Sequence, residues 1–293
     1  MNADARRERY ESIRRVLFVV LTVDLSMAAA KGWYGYLTGS LGMISDGLHS
    51  GLHALGSMLG VVGIALAARP ADSSHPYGYE RYEPLTAMGV AMFMLAAGWR
   101  MLDDAWTRLR TDEVPIVTAL SFTIIVAAMC LTLALSIWEN QRARTLNSTL
   151  LRADSARIWS DTLVSGVVIA DLIGVRLGFP EIDAVASVVV AVIIAWTAWG
   201  IVHGASRILA DAAVADVGRI AEAARSVKGV IGCHQVRARG VGGMVRVDLH
   251  ITVDPRMTVA QAHEVAEEVE NRIRQQLGGV TEVLVHVGAA TLH

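Results

Sequence analysis

Charge is scarce in this sequence: Asp, Glu, Lys and Arg make up 18% of its 293 residues, against 53% hydrophobic. With a mean hydropathy of +0.43, the chain is too apolar for one ordinary soluble domain and reads as a membrane protein. Neither sign of charge dominates. A formal net charge of −2 carries no footprint for nucleic acid, so that class of partner is excluded. Cysteine is nearly absent: Cys130 lies in an apolar run and Cys233 in a polar stretch, surroundings too different for a disulfide framework. A cleavage site is missing as well. Met1 to Arg15 carries five arginines and leads straight into a hydrophobic stretch with no small-residue processing site, so no cleaved signal peptide is expected.

The charges that exist are unevenly placed, thin over the first 210 residues and denser afterwards. This predicts a membrane domain over 1–210 and a soluble domain over 211–293. Hydropathy marks six spans, at about 16–36, 43–68, 82–106, 114–138, 154–175 and 184–202. A Gly-rich turn over 35–42 follows the first, a polar connector over 69–81 the second, and a basic connector with Arg142, Arg144 and Arg152 precedes the fifth. Six spans put both termini on one side, and the arginine distribution puts that side in the cytoplasm of a multi-pass cell (inner) membrane protein. Asp24 and Lys31 make the first span one that faces other helices. Gly56 and Gly60 read as a small-xxx-small packing pair.

Ionisable groups inside such spans are functional candidates by default, at roughly 2.5–3.5 kcal/mol each for Asp, Lys and Arg at mid-depth. In the second span Asp46, His49 and His53 fall at i, i+3 and i+7, on one helix face. Asp154, Arg157 and Asp161 repeat that spacing in the fifth. The two faces together would enclose a small polar cage, and His with Asp suits a divalent transition metal such as zinc. In the connector, Asp72 and His75 form a weaker candidate pair.

Beyond residue 210 the pattern becomes an α-β-β-α-β order: a helix over 214–227, strands over 233–239 and 244–253, a helix over 258–277 and a strand over 282–287. Val245, Val247, Leu249, Ile251 and Val253 alternate with Arg246, Asp248, His250 and Thr252, the period of a half-buried strand. His234, His250, His263 and His286 crowd this short domain and raise metal binding there.

Taken together, Gly39–Ser50, His75-Pro76-Tyr77-Gly78-Tyr79, and Ala153-Asp154 through Ser160-Asp161, in six spans followed by a small αββαβ tail, resemble the cation diffusion facilitator family over nearly the whole chain. The resemblance implies a six-helix membrane protein with a metallochaperone-like cytosolic domain. It implies a homodimeric, non-enzymatic antiporter exchanging zinc, iron, manganese or a related divalent ion for protons. No prosthetic group is implied; the divalent ion, zinc first, is both substrate and regulator. The family's transport site takes two residues four apart from the second helix and two from the fifth. These fall on His49, His53, Arg157 and Asp161.

The sequence departs from the family at several of these positions. Where relatives usually carry His, this chain has Arg157, which offers a metal no lone pair and can pair with Asp161 one turn away. Either the arginine turns away and a neighbouring group completes the shell, or the site binds weakly. Two neutral imidazoles favour zinc over manganese and offer proton coupling, since histidine must be deprotonated to ligate. Tyr79 replaces the second histidine of the family's loop site, leaving Asp72 and His75 degraded. In the tail His234, His250 and His286 match a cytosolic metal site that bridges the two copies of the dimer, and His263 matches its neighbour on the helix.

Two other readings compete. His49 and His53 have the spacing of a zinc-protease helix, but Ser50 stands where the general-base Glu would be. A non-transporting member, metal-sensing or stabilising a related partner in a heterodimer, would have its membrane site closed by Arg157.

Overall fold

In the computed structural model the described residues are 3–38, 41–111, 119–176 and 182–290, with side chains described for most but not for 41–49. Six long helices come first: α1 (Ala3–Thr38), α2 (Leu41–Ala67), α3 (Tyr82–Thr111), α4 (Ala119–Thr145), α5 (Thr149–Arg176) and α6 (Ile182–Leu209). They are followed by α7 (Val217–Arg225), β1 (Gly232–Val241), β2 (Met244–Val253), α8 (Val259–Gln276) and β3 (Val280–Ala289). The chain divides into two compact units, Arg7–Ser206 and Arg207–His293 with Met1–Arg6.

The helices overrun the apolar windows. α1 begins thirteen residues before its hydrophobic run, because a polar helical turn needs only backbone hydrogen bonds and side chains such as Arg7, which donates to Glu11 at 3.0 Å one turn on. The turn expected over 35–42 is shorter, since α1 continues through Gly35 to Thr38 and α2 starts at Leu41. The basic connector is likewise mostly helix: Arg142 and Arg144 lie in the last turn of α4 and Arg152 in the first of α5. Among the described residues one stretch, Val188–Leu209, is long and apolar enough by composition alone to cross a bilayer.

Ile13, Leu17, Ile64, Leu150 and Leu151 are fully buried at the centre of the helical unit. Of the described glycines on α2, Gly63 is the one packing demands. A Cβ there would run into the Thr86 side chain of α3, whereas one at Gly56 would meet Phe93 and Arg157 at ordinary contact distances of 3.7 and 4.0 Å.

One end of this unit is tied by a buried polar joint absent from the hydropathy pattern. Glu83, at the start of α3, has no exposed surface. Its Oε1 accepts from Ser148 Oγ (2.7 Å) and the Thr149 backbone N–H (2.8 Å), and its Oε2 from Arg9 Nη2 (3.0 Å). Arg9 also donates to the Leu146 and Asn147 carbonyls, at 2.8 and 3.2 Å. Thus α1, α3 and the α4–α5 turn share one ion pair, and Ser148 accepts the Leu151 N–H as α5 begins.

The tail has the expected αββαβ order. Its sheet runs β1-β2-β3, with β1–β2 antiparallel and β2–β3 parallel. Val247, Leu249, Ile251 and Val253 point into the core with Val269 and Ile273 of α8 and Ile220 of α7, as the period-two pattern predicts. Val245 packs against the same core but stays half-buried, beside an irregularity in the β2–β3 register. Both helices start on caps: Asp216 accepts from the Gly218 and Arg219 N–H groups, and Thr258 with Gln261 forms a capping box.

Candidate metal centre

α2 contributes His53 and, one turn later, Ser57; α5 contributes Asp154, Arg157 and Asp161. The side chains of Asp46 and His49 lie outside the described residues. Arg157 does not turn away: 3% exposed, it occupies the centre of the polar cage. Its Nη1 donates to His53 Nδ1 (2.7 Å) and to Asp161 Oδ2 (3.4 Å), its Nε to Asp154 Oδ1 (2.9 Å) and its Nη2 to Ser57 Oγ (3.3 Å). Asp24 of α1 joins from the far side, accepting from Ser57 Oγ at 2.7 Å and standing 3.7 Å from Nη2. Three carboxylates from two helices surround one guanidinium.

The His53–Asp161 contact across α2 and α5 decides what this cage can do. His53 Nδ1 lies 3.0 Å from Asp161 Oδ2, the spacing of two atoms that can share a metal or a proton. Here Nδ1 accepts from Arg157, so its lone pair is already engaged and its proton sits on the other nitrogen. Arg157 must let go before His53 can ligate through Nδ1. The two faces of the cage differ in access: the His53 and Asp161 side chains are 18% and 32% exposed, Arg157 3%. An ion reaching the pair from the open side meets His53 and Asp161 first.

The prediction that Asp24 and Lys31 face other helices holds. Asp24 reaches Ser57, and Lys31 donates to Ser50 Oγ at 3.2 Å, both on α2. What sequence reasoning missed is the Asp24–Arg157 association, 133 residues apart, and the acid Glu139 on α4, fully buried beside Asp154. A carboxylate at the end of an uncharged span was the available signal.

The connector pair is arranged against metal binding. Asp72 accepts from Tyr79 Oη (2.7 Å), Ser74 Oγ (2.7 Å) and the N–H groups of Ser74 (2.9 Å) and His75 (2.8 Å), so both its oxygens are engaged. Ser74 first, then Tyr79 and the His75 backbone, hold its carboxyl far below the ordinary carboxylate range. The His75 ring packs on Tyr79 with centroids 4.1 Å apart. Tyr79 thus completes a closed hydrogen-bonded turn.

In the tail, strand register builds a row. His234 pairs with His250 across β1–β2 and His250 with His286 across β2–β3, with ring centroids 5.4 and 4.5 Å apart. The row lies on the sheet face opposite the buried Val247, Leu249 and Ile251. His263 does not join it: α8 packs on the other face, and His263, 73% exposed, pairs with Glu267 at 3.4 Å. Partial loss of solvent first, then His286, His234 and Arg237, push His250 below the ordinary imidazole value and keep its lone pair available. Among the described residues no three His, Cys, Asp or Glu side chains converge on one point, so the row is a line of donors rather than a closed shell.

The cation efflux transmembrane domain matches residues 17–210, and the cation efflux protein cytoplasmic domain matches 213–289. The chain belongs to the cation diffusion facilitator family. Metal tolerance protein C1 of Arabidopsis thaliana is 31% identical over 300 residues, covering 96% of this chain and 64% of that protein. The uncharacterized transporter YdbO of Bacillus subtilis (strain 168) is 31% identical over 264 residues, 89% of this chain and 90% of its own length. The manganese efflux system protein MneS of the same organism is 24% identical over 92% of this chain and 94% of that protein. A solved MamM CTD structure, 38% identical, covers 25% of this chain and 90% of its own, with a TM-score of 0.25. Membership makes the chain a membrane protein of a divalent-cation efflux family, with a cytoplasmic domain of dimerising type.

Proposed function

We propose that this cation diffusion facilitator exports a divalent transition metal from the cytoplasm in exchange for protons, as a six-span homodimer in the cell membrane with both termini cytoplasmic. The observation that carries the reading is the His53–Asp161 pair: two donors from two helices, 3.0 Å apart, on the more exposed side of the cage. The ion enters there, takes His53 and Asp161 with His49, and displaces Arg157. Zinc is the first candidate because imidazole suits it, with iron or manganese next. The tail dimerises and senses cytosolic metal through His234, His250 and His286.

The test is zinc-driven proton movement in liposomes carrying the purified protein, with Asp161→Ala and Arg157→His alongside. Exchange by the parent that Asp161→Ala abolishes is the expected result. The many bonds of Arg157, at 3% exposure, favour a second reading: a non-transporting member whose membrane site is closed. A silent parent and an active Arg157→His would establish that reading instead.

A further inference from the structure

The apolar run of α4 ends at Trp138, and the next residue, Glu139, has no solvent exposure. Neither of its oxygens has a hydrogen-bond partner among the described residues, and neither does Asp154 Oδ2. Yet the two carboxyls lie within hydrogen-bond reach of each other. Ionised carboxylates only accept, so three orphaned oxygens side by side mark a pair that lacks its hydrogen. One proton on Glu139, donated to Asp154 Oδ2, engages that oxygen and one of the two on Glu139.

The charged groups around Glu139 are Asp154 and Arg157 from α5 and Asp24 from α1. Arg157 uses Asp154 Oδ1, which leaves Oδ2 for Glu139. The guanidinium therefore has two ends: Nε faces the Asp154–Glu139 pair, and Nη1 faces His53 and Asp161.

We propose that Glu139 is a buried proton-binding site, shared with Asp154 and distinct from His53 and Asp161, and that loss of this proton draws Arg157 off His53. The balance is simple. One O–H bond of Glu139 breaks and the proton leaves to solvent; the new carboxylate attracts the guanidinium, and His53 Nδ1 recovers its lone pair for a divalent cation. The proton site stands on its own geometry, whereas the release of His53 rests on the transport reading above.

The experiment is acid-minus-alkaline difference infrared spectroscopy on the metal-free, full-length protein in lipid nanodiscs. A protonated-carboxyl C=O stretch is expected that shifts in D2O, vanishes at alkaline pH, is missing from Glu139→Gln and moves in frequency in Glu139→Asp. The same band unchanged in both variants overturns the proton site; should Glu139→Gln fail to assemble, the Glu139→Asp frequency decides. Zinc titrations then test the coupling. Between acid and alkaline pH the parent should gain about tenfold more zinc affinity than Glu139→Gln, the effect of about one pKa unit. Equal pH dependence overturns the coupling. A parent that binds no zinc, yet shows a Glu139-dependent band, sinks the transport reading and leaves the proton site supported.

Discussion

The two candidate metal regions are built on opposite principles. In the helical unit the donors run from half-buried His53 and Asp161 to buried Asp24 and Asp154 and come with their own cation: Arg157 is bonded to His53, Asp154 and Asp161. In the tail the donors are three histidines in a row on the open face of a sheet, with no carboxylate among them. A buried site of carboxylates needs a counter-charge merely to exist in the absence of metal, because an isolated buried ion is prohibitively costly. An exposed row of imidazoles, in contact with solvent, needs none. Removing a residue from the first region should therefore damage the fold, and removing one from the second should damage only binding.

The sharpest break of that contrast is Arg157→Ala. Stripping the guanidinium from Asp24, Asp154 and Asp161 should cost about 3–5 kcal/mol, read as a large fall in thermal unfolding temperature in detergent. A Tm close to the parent's would mean that these carboxylates do not depend on it. Gly63→Ala comes next, overpacking α2 on α3 at Thr86 for about 1–3 kcal/mol in the same assay. In the tail, His250→Ala should weaken zinc binding about tenfold while leaving stability as little changed as an ordinary surface substitution does. Loss of folding there would erase the distinction.

The smallest effect is a pH dependence. Because His250 is held below its unfolded value, the folded tail binds fewer protons than the unfolded chain in the window just beneath the ordinary imidazole pKa. Tail stability should decline as pH falls through that window, and His250→Gln should flatten the decline in denaturant titrations of the metal-free protein.

Much of this was legible in the sequence, and what was not shares a cause. Periodicity reports which face of an element is buried, so the inward Val247, Leu249 and Ile251 could be read directly, and the cost of a charge inside an apolar span gave the inward placement of Asp24. It does not report which residue waits on the neighbouring element. The partners of Arg157 come from α1, α2 and α5, and only Asp154 and Asp161 share its helix. Glu83 and Arg9 sat at the edges of hydropathy windows, where charge reads as the end of a span, although they form a buried ion pair that Ser148, the Thr149 N–H and two backbone carbonyls complete. The helix ends were misplaced for a related reason: hydropathy marks where lipid would begin, not where backbone hydrogen bonding stops.

The joint at Glu83 has a mechanical consequence. It welds three segments, the start of α1, the start of α3 and the short turn between α4 and α5, through bonds of 2.7 to 3.3 Å. Helices clamped together at one end behave as the tines of a fork. Any bending among them must travel widest at the free tips, leaving the handle as the fixed point about which the rest is measured.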